Sequence, residues 1–373
     1  MPDVTVRPVR TRREKKQFTM LPWSLYRDDP HWVPPLRLDF LERVGFKHSP
    51  FYDDAEAQTF LAFHGNEPVG RVSAILNHAH NRQYNERRGF FGFFESIDDH
   101  RVAAALFDAA RAWLAERDVH VVRGPVNPSM NYECGMLVEG FDRPPMFMMT
   151  YNPPYYDRLL IDYGFDKEQD MYAYWGHTDM LDTLDPKLQF IVDEAKRRFN
   201  ITLRPMDRSR FYEEVRMFLD IYNESMAGMW GFVPLAPAEA DHMAKGMKHL
   251  LAPELTTAAE IDGRMVGAVF GMLDYNPRIK RIDGRLFPFG FLRLIAGRRK
   301  IKNIRIISAN VTTEFQRWGV GLVVLNRLVP DVRAWGVEEA ELSWVLESNR
   351  MSRVTLEKSG VVRYKTYRIY HLE

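Results

Sequence analysis

A low-level internal repeat constrains this chain more than any other feature. Asn152 opens NPPYYDRLLIDYGF, followed by the strand-like MYAYWG, and Asn349 opens NRMSRVTLEKSG, followed by VVRYKTYRIYHL. In each copy a short amphipathic helix ends at a glycine, with Tyr155, Leu159 and Leu160 marking one apolar face and Val354 and Leu356 the other. Gly164 and Gly360 suit the left-handed position that closes a helix, and the alternating large residues beyond them read as strands. A helix–glycine–strand unit found near residue 175 and again at the end predicts a tandem duplication. The 373 residues agree with this, since at ~150 residues per domain they fill two domains, each able to bury a core. We expect domains at 1–178 and 186–373, joined by the polar, turn-rich GHTDMLDTLDP.

The upstream segments fit one plan. AQTFLAF and PVGRVSAIL read as strands joined at His64-Gly65-Asn66, and FFGFFE as a further strand. His100 to Glu116 reads as a helix with Ala104, Phe107, Ala110 and Trp113 at helical spacing. In the second half ITLRPM is a strand, Phe211 to Met226 a helix, and TTAAEI with MVGAVFGML a hairpin about Asp262-Gly263. IRIISANVT is a strand, Gly319 to Trp335 a helix that Pro330 should bend or break, and AELSWVL a strand. Alternating strands and helices predict two α/β domains, each built on a mixed sheet.

Composition removes several classes. With 51 basic and 50 acidic side chains, a net charge of +1 argues against a generic nucleic-acid binder. The single cysteine, Cys134, excludes an intrachain disulfide and a multi-cysteine metal site, and no neighbouring motif activates it. His78 and His80 lack a third ligand, so no metal is expected. The basic start, MPDVTVRPVRTRREKK, has no apolar core behind it and does not read as a secretory signal. The longest apolar segment, Leu286 to Ala296, is interrupted by Pro288 and Arg293 and falls short of the ~20 residues of a membrane span. A cytoplasmic protein is expected.

The sharpest local pattern is VTTEFQRWGVGLVVLNRL, Val311 to Leu328, where a strand runs into Gln316-Arg317-Trp318-Gly319-Val320-Gly321 and a helix begins. Glycines there let the backbone approach a ligand, and the free amides, the helix dipole and Arg317 suit a pyrophosphate. The hexapeptide alone is equally a plain strand-to-helix turn. Its context resembles the GNAT acyltransferase superfamily: the Gln/Arg-x-x-Gly-x-Gly turn after the fourth strand, AELSWVL, Asn349, a short helix, Gly360 and final strand segments. Residues 200–373 carry the resemblance well, and 1–178 look like a divergent copy. The resemblance implies that the strands flanking the helix splay and admit the pantetheine arm of an acyl-CoA. That arm would pair with the strand backbone, Val311 and Thr313 included, and Asn349 would help hold it. The pyrophosphate would rest on the turn from Gln316 through Arg317, Trp318, Gly319 and Val320 to Gly321.

The first copy reads Glu95-Ser96-Ile97-Asp98-Asp99-His100 where that turn should lie, without a glycine and with acids that would repel pyrophosphate. One acyl-CoA site, in the second domain, is therefore expected. The implied reaction is acyl transfer from a thioester to an amine, with a carboxylate base and a strand amide for the oxyanion. Glu224, Glu347 and, less centrally, Glu314 are candidate bases, and Asn310 could orient the acceptor. The family's usual tyrosine acid is replaced by Leu356, which leaves the acid unassigned.

The segment Arg285 to Lys302, RLFPFGFLRLIAGRRKIK, sets aromatic side chains beside six basic ones with no acid. This suits a membrane interface, or equally a buried connection with a solvated basic end. MAGMWGFVPL, Met226 to Leu235, could cover an acyl chain or simply the core. With the long proline-rich stretch from Gly124 to Tyr156, these features resemble bacterial ceramide synthases, GNAT-like proteins that acylate a sphingoid base from acyl-CoA. The expectation is an acyl-CoA-dependent N-acyltransferase of a lipidic amine, touching the cytoplasmic membrane face through 285–302. The alternatives are an acetyltransferase of a small soluble amine, a Fem-type aminoacyl transferase, and a non-catalytic binding protein that retains the fold.

Overall fold

The computed structural model describes residues 3–182 and 186–373; residues 183–185, inside the expected junction, lie outside them. The chain divides into two compact units. The first comprises Met1–Met171, Asn276–Leu294 and Lys365–Glu373, and the second Tyr172–Tyr275 and Ile295–Tyr364. Two later segments thus fold with the first unit.

The first unit opens with β1 (Val4–Pro8), α1 (Arg12–Leu25) and α2 (Arg37–Arg43). The hairpin β2 (Ala55–His64) and β3 (Glu67–Asn77) follows, turning at Gly65 with φ +60°. Next come α3 (His78–Tyr84), β4 (Arg88–Ser96), α4 (His100–Ala115) and β5 (Val121–Gly124). Three short strands, β6 (Val126–Asn127), β7 (Glu133–Cys134) and β8 (Met136–Glu139), lead to α5 (Tyr155–Tyr163) and β9 (Asp166–His177). The sheet runs β1-β2-β3-β4-β5, antiparallel except for the parallel β4/β5 pair. Phe91, Phe94, Phe107, Tyr156 and Phe165 form its core with α4 and α5. α4 buries Val102, Ala103, Leu106, Phe107, Ala110 and Leu114. Ala104 and Trp113 of the expected face are only half-buried, because the stripe passes to one side of them.

The second unit contains α6 (Pro186–Phe199), β10 (Thr202–Arg204), α7 (Phe211–Met226), α8 (Pro237–Met247), β11 (Thr256–Ile261) and β12 (Arg264–Leu273). The chain then contributes α9 (Asn276–Arg281) and most of α10 (Gly290–Ile295) to the first unit. It resumes with β13 (Asn303–Val311), α11 (Val320–Trp335), β14 (Glu339–Leu346), α12 (Arg350–Lys358) and β15 (Val362–Leu372). The sheet runs β14-β13-β12-β11-β10, with β13/β14 its parallel pair and the second half of β9 beside β14. The β11–β12 hairpin turns where the sequence places it, with Asp262 and Gly263 both at positive φ, as a two-residue hairpin requires. α11 runs through Pro330, which is exposed, because Leu328, Val332 and Trp335 around it are buried and hold the helix. α6, a helix without a counterpart in the expected plan, packs Val192 and Ala195 on Val323 of α11. From β15, the residues beyond Lys365 return to the first unit and pair with β5 and β8.

Each unit therefore repeats one order: strand, two helices, hairpin, strand, helix, parallel strand, short helix, strand. Gly164 (φ +111°) and Gly360 (φ +88°) close the two short helices in the left-handed conformation expected of them.

His80, on α3, is buried against Phe90, with Nε2 2.7 Å from Glu86 Oε1. Burial lowers its pKa from 6.5 to about 4, although the Glu86 bond opposes the shift. Below pH 6.5 the unfolded chain takes up a proton that the folded chain refuses until about pH 4. Stability from this site is therefore complete above pH 6.5 and lost as pH falls toward 4, an effect on the order of 3 kcal/mol. Urea unfolding between pH 4 and 7 should show a flatter pH slope for His80→Phe than for the parent; equal slopes would refute this.

Candidate active site

The site begins where the second unit's parallel strands part. β13 and β14 pair only from Asn303/Glu339 to Ile306/Leu342, yet β13 continues to Val311 and β14 to Leu346. Against β12, the register of β13 shifts between Phe270, opposite Ser308, and Gly271, opposite Ile306, so Ile307 forms a bulge as the strands diverge. A bulge re-aims neighbouring backbone groups.

At the root of the gap lies a buried polar network. Arg305 and Glu341 face one another across the parallel pair, with Arg305 Nε 3.6 Å from Glu341 Oε1. Arg305 Nε donates to Ser343 Oγ at 2.8 Å; the Ser343 hydroxyl donates to Glu341 Oε1, and the Tyr364 hydroxyl to Oε2. Arg305, Glu341 and Ser343 are all buried, and the Arg305 guanidinium also lies over the Trp344 ring. No motif in the sequence marks these residues. An arginine in the otherwise apolar IRII, and Glu341 and Ser343 two apart on one strand face, were the available signal.

At the far end of β13, the last turn of α7 meets the strand. Thr313 N–H donates to Glu224 Oε1 at 2.8 Å. Ser225 Oγ donates to Asn310 Oδ1 at 3.0 Å, and Gln316 Nε2 donates to the carbonyls of Ser225 (3.3 Å) and Val311 (3.2 Å). Glu224, Asn310, Val311, Thr313 and Gln316 are thus brought together, with Glu224 and Thr313 exposed and Asn310 buried. Glu314 is exposed, and Glu347 is half-buried beyond β14, its carbonyl accepting from Arg353. Asn349 caps α12, its side chain accepting from Ser352 N–H at 3.1 Å. Leu356 packs with Tyr172, Tyr174 and Val361, and its own side chain has no proton to give.

α11 then starts with no side-chain cap. Gly319, its N-cap, has φ +79°, and a Cβ there would sit 2.3 Å from Ile191 Cγ2, so packing against α6 already demands glycine. Gly321 is different: a Cβ would meet only Val311 Cγ2 at 3.7 Å, an ordinary contact. Nothing among the described residues requires that glycine. Trp318 is exposed beside the turn, with the Arg198 guanidinium 4.0 Å from its ring, so Arg198 and Arg317 both stand near the open helix start. Arg198 was not foreseen, because α6 was not.

The first unit answers the same geometry differently. β4 and β5 pair only from Arg88/Val121 to Phe90/Arg123 and then part, and β4 also carries a register shift. Here the gap is filled. A Cβ on Gly92 would lie 1.6 Å from Val126 O, and Phe93 N–H donates to Asn127 Oδ1 at 2.6 Å. The Tyr156 hydroxyl accepts from Ser96 N–H (2.8 Å) and donates to Glu95 (2.8 Å), and the Tyr155 hydroxyl donates to Ser96 O (2.7 Å). Glu95 is enclosed by Tyr26, Tyr156 and Arg71, and its burial raises its pKa. The acids of this segment were expected to repel a phosphate. The structure gives them other work. Asp98 pairs with Arg158, and Asp99 caps α4 through Arg101 N–H, held ionised at about 2 by the Arg101 side chain. The helix start that is open in α11 is occupied in α4 by the protein's own carboxylate.

The two units together form a tandem GNAT fold. No profile of a known protein family matches the chain. Individual relatives do. It is 34% identical to Protein YghO of Escherichia coli K12, over 98% of this chain and 94% of that one. It is 36% identical to the bacterial ceramide synthase of Caulobacter vibrioides, over 99% and 97%. The chain belongs to the family of these two proteins. Among solved structures, a tandem GNAT protein from the clavulanic acid biosynthesis pathway aligns with a TM-score of 0.59 at 12% identity, over 100% of this chain and 98% of that one. A GCN5-related N-acetyltransferase from Sphaerobacter thermophilus gives 0.55 at 14%, over 100% and 96%. These two show the fold.

The buried network makes a testable demand. Arg305→Met strands the Glu341 carboxylate and should lower stability by roughly 3–5 kcal/mol, whereas Arg305→Met with Glu341→Met should cost far less. Urea titration of the two single variants and the double measures the coupling; additive losses would refute it.

Proposed function

We propose that this protein is an acyl-CoA-dependent N-acyltransferase that forms an amide on a lipidic amine of the sphingoid-base class. The observation that carries the cosubstrate is the contrast between equivalent helix starts, capped by Asp99 in α4 and uncapped at Gly319 in α11. An uncapped start presents unpaired amides to an anion, and Arg317 and Arg198 add positive charge. The acceptor class rests on the 36% identity to the Caulobacter ceramide synthase across nearly the whole chain. Val311, Thr313, Gln316, Trp318, Gly319, Val320, Gly321 and Asn349 complete the proposed cosubstrate seat.

In the proposed step the neutral amine attacks the thioester carbonyl carbon, the C–N bond forms, the C–S bond breaks, and CoA leaves as a thiolate. The amine proton passes to a carboxylate. Glu224 is the favoured base: Thr313 N–H fixes one of its oxygens at the strand end, and the side chain remains open to water. Asn310, tied to Ser225, orients the acceptor. Glu347 stays the second candidate base.

The deciding experiment is mass spectrometry of lipids formed from palmitoyl-CoA and sphinganine, beside acetyl-CoA with soluble amines. A new long-chain amide is the expected result; acetylation of soluble amines alone would defeat the lipid acceptor. Glu224→Gln keeps an oxygen for Thr313 N–H but cannot take a proton, so kcat should fall by about 10²-fold or more with KM little changed. Undiminished turnover would exclude this base.

Calorimetry should find one CoA site per chain. Gly321→Asp places a carboxylate at the helix start, where it favours the helix but opposes pyrophosphate. It should weaken CoA binding at least ~10-fold without lowering Tm. Two sites, or unchanged affinity, would overturn the placement. Gly319 is the poorer probe, since any side chain there strikes Ile191.

A further inference from the structure

The basic, aromatic strip Arg285 to Lys302 does not act as one element. Its tail folds with the second unit and is engaged there. Arg298 donates to the carbonyls of His249 and Leu251, while Arg299 lies 4.0 Å from the Trp335 ring and pairs with Glu254. Its head, Arg285 to Leu294, folds with the first unit and is fixed in a way that exposes its apolar side chains.

The fixing is extensive. Asp283, the one acid between Arg278 and Lys302, accepts from Trp23 Nε1 and from the Arg37 guanidinium, and Arg37 also donates to the Asp283 carbonyl at 3.1 Å. Gly284, at φ +67°, packs so closely on Pro35 O that a Cβ would lie 2.1 Å away, and its carbonyl accepts from Arg37 N–H. Asn276 Nδ2 donates to Pro145 O at 2.7 Å. The loop then folds onto itself. Phe291 N–H donates to Leu286 O, Arg293 N–H donates to Phe289 O, and Gly290 is buried where a Cβ would sit 1.7 Å from Arg285 O.

On this anchored loop Phe287 is 75% exposed, Phe289 65% and Leu292 59%. Arg285 and Arg293 are exposed around them, and Arg281 is exposed just before. Three large apolar side chains held in water by a rigid base are not a core that failed to close.

We infer that the Phe287–Phe289–Leu292 tip inserts into the boundary region of an anionic lipid surface, with Arg285 and Arg293 meeting the headgroups. Charge complementarity points to lipid: the loop's one acid, Asp283, is shared by Trp23, Arg37 and Arg285 (Nε 3.6 Å from Oδ2), Arg285 and Arg293 both stay exposed, and the aromatic rings suit the headgroup boundary. The exposed apolar area, roughly 400 Å², is about half of what each partner gives a stable protein interface. No helix of the described residues is long and apolar enough to cross a membrane, so the contact is interfacial. Binding of this kind needs no assumption about the reaction, and its bearing on catalysis is delivery of a membrane-dissolved acceptor.

The test is sedimentation of the full-length protein with sucrose-loaded vesicles of phosphatidylglycerol and phosphatidylethanolamine, against phosphatidylcholine vesicles, with no acyl donor or acceptor present. The protein should sediment with the anionic vesicles. Phe287→Ser with Phe289→Ser and Leu292→Ser should cut partitioning at least ~10-fold, and Arg285→Gln with Arg293→Gln should weaken it on anionic vesicles only. Both variants should keep the parent Tm, since the altered side chains are exposed. Absence of sedimentation, or undiminished binding by the triple variant, overturns the inference. So does a concentration-dependent dimer in ultracentrifugation that the triple variant abolishes without any vesicle binding, which would assign the tip to a second copy. Turnover of detergent-dispersed substrates by the triple variant should match the parent, which separates this result from failure of the proposed chemistry.

Discussion

In each unit two parallel strands stop pairing after a few residues, and much of the structure around them answers that split. Unpaired strand backbone is a row of donors and acceptors that must find partners. The two units meet that demand in opposite ways. In the first, Asn127, Tyr155 and Tyr156 supply side-chain partners to Phe93 and Ser96, and the Val126 carbonyl closes over Gly92. In the second, α7 secures only the end of the strand, through Glu224, Ser225 and Gln316, and the helix beyond begins uncapped. One unit has become a self-satisfied scaffold. The other leaves the helix start beyond its strand without a side-chain cap.

Much of this was legible in the sequence. The hairpin about Asp262-Gly263, the helix Phe211–Met226 and the glycine-closed helices before Gly164 and Gly360 follow from local chemistry: turn geometry, apolar period and left-handed caps. The turn after Val311 was legible for the same reason. What sequence pattern did not carry was partnership at a distance. Glu95 and Asp98 look like exposed repelling charge until Tyr26 and Arg158 are placed beside them. Arg305 and Glu341 lie 36 residues apart, and only parallel pairing makes them one network. The strip Arg285 to Lys302 reads as continuous, yet Asp283 ties its head to Trp23 and Arg37, more than two hundred residues away.

Three glycines show how one residue type answers different constraints. Gly92 is required because a neighbouring carbonyl occupies the space of its side chain, and Gly319 because its φ is positive and Ile191 lies against it. Gly321 has ordinary φ and free space, so the protein's own packing does not explain it. In a sequence, Gly319 and Gly321 form one motif. In the structure one serves the fold, and the other leaves room.

For the proposed acyl transfer, the absence of a tyrosine at Leu356 bears on the chemistry less than it first suggests. A thiol with pKa near ~8.5 is a better leaving group than an amine of pKa ~10.4, so expulsion of CoA from the tetrahedral adduct needs little help from an acid. Removing the ammonium proton does need help, since at neutral pH the nucleophilic form of such an amine is scarce. The demanding group is therefore the base. In the proposed reaction that places the weight on Glu224, whose carboxylate is fixed to the strand end by Thr313 N–H and stays exposed, and not on the buried pair at the root of the gap, where Glu341 is already bound by Ser343 and Tyr364.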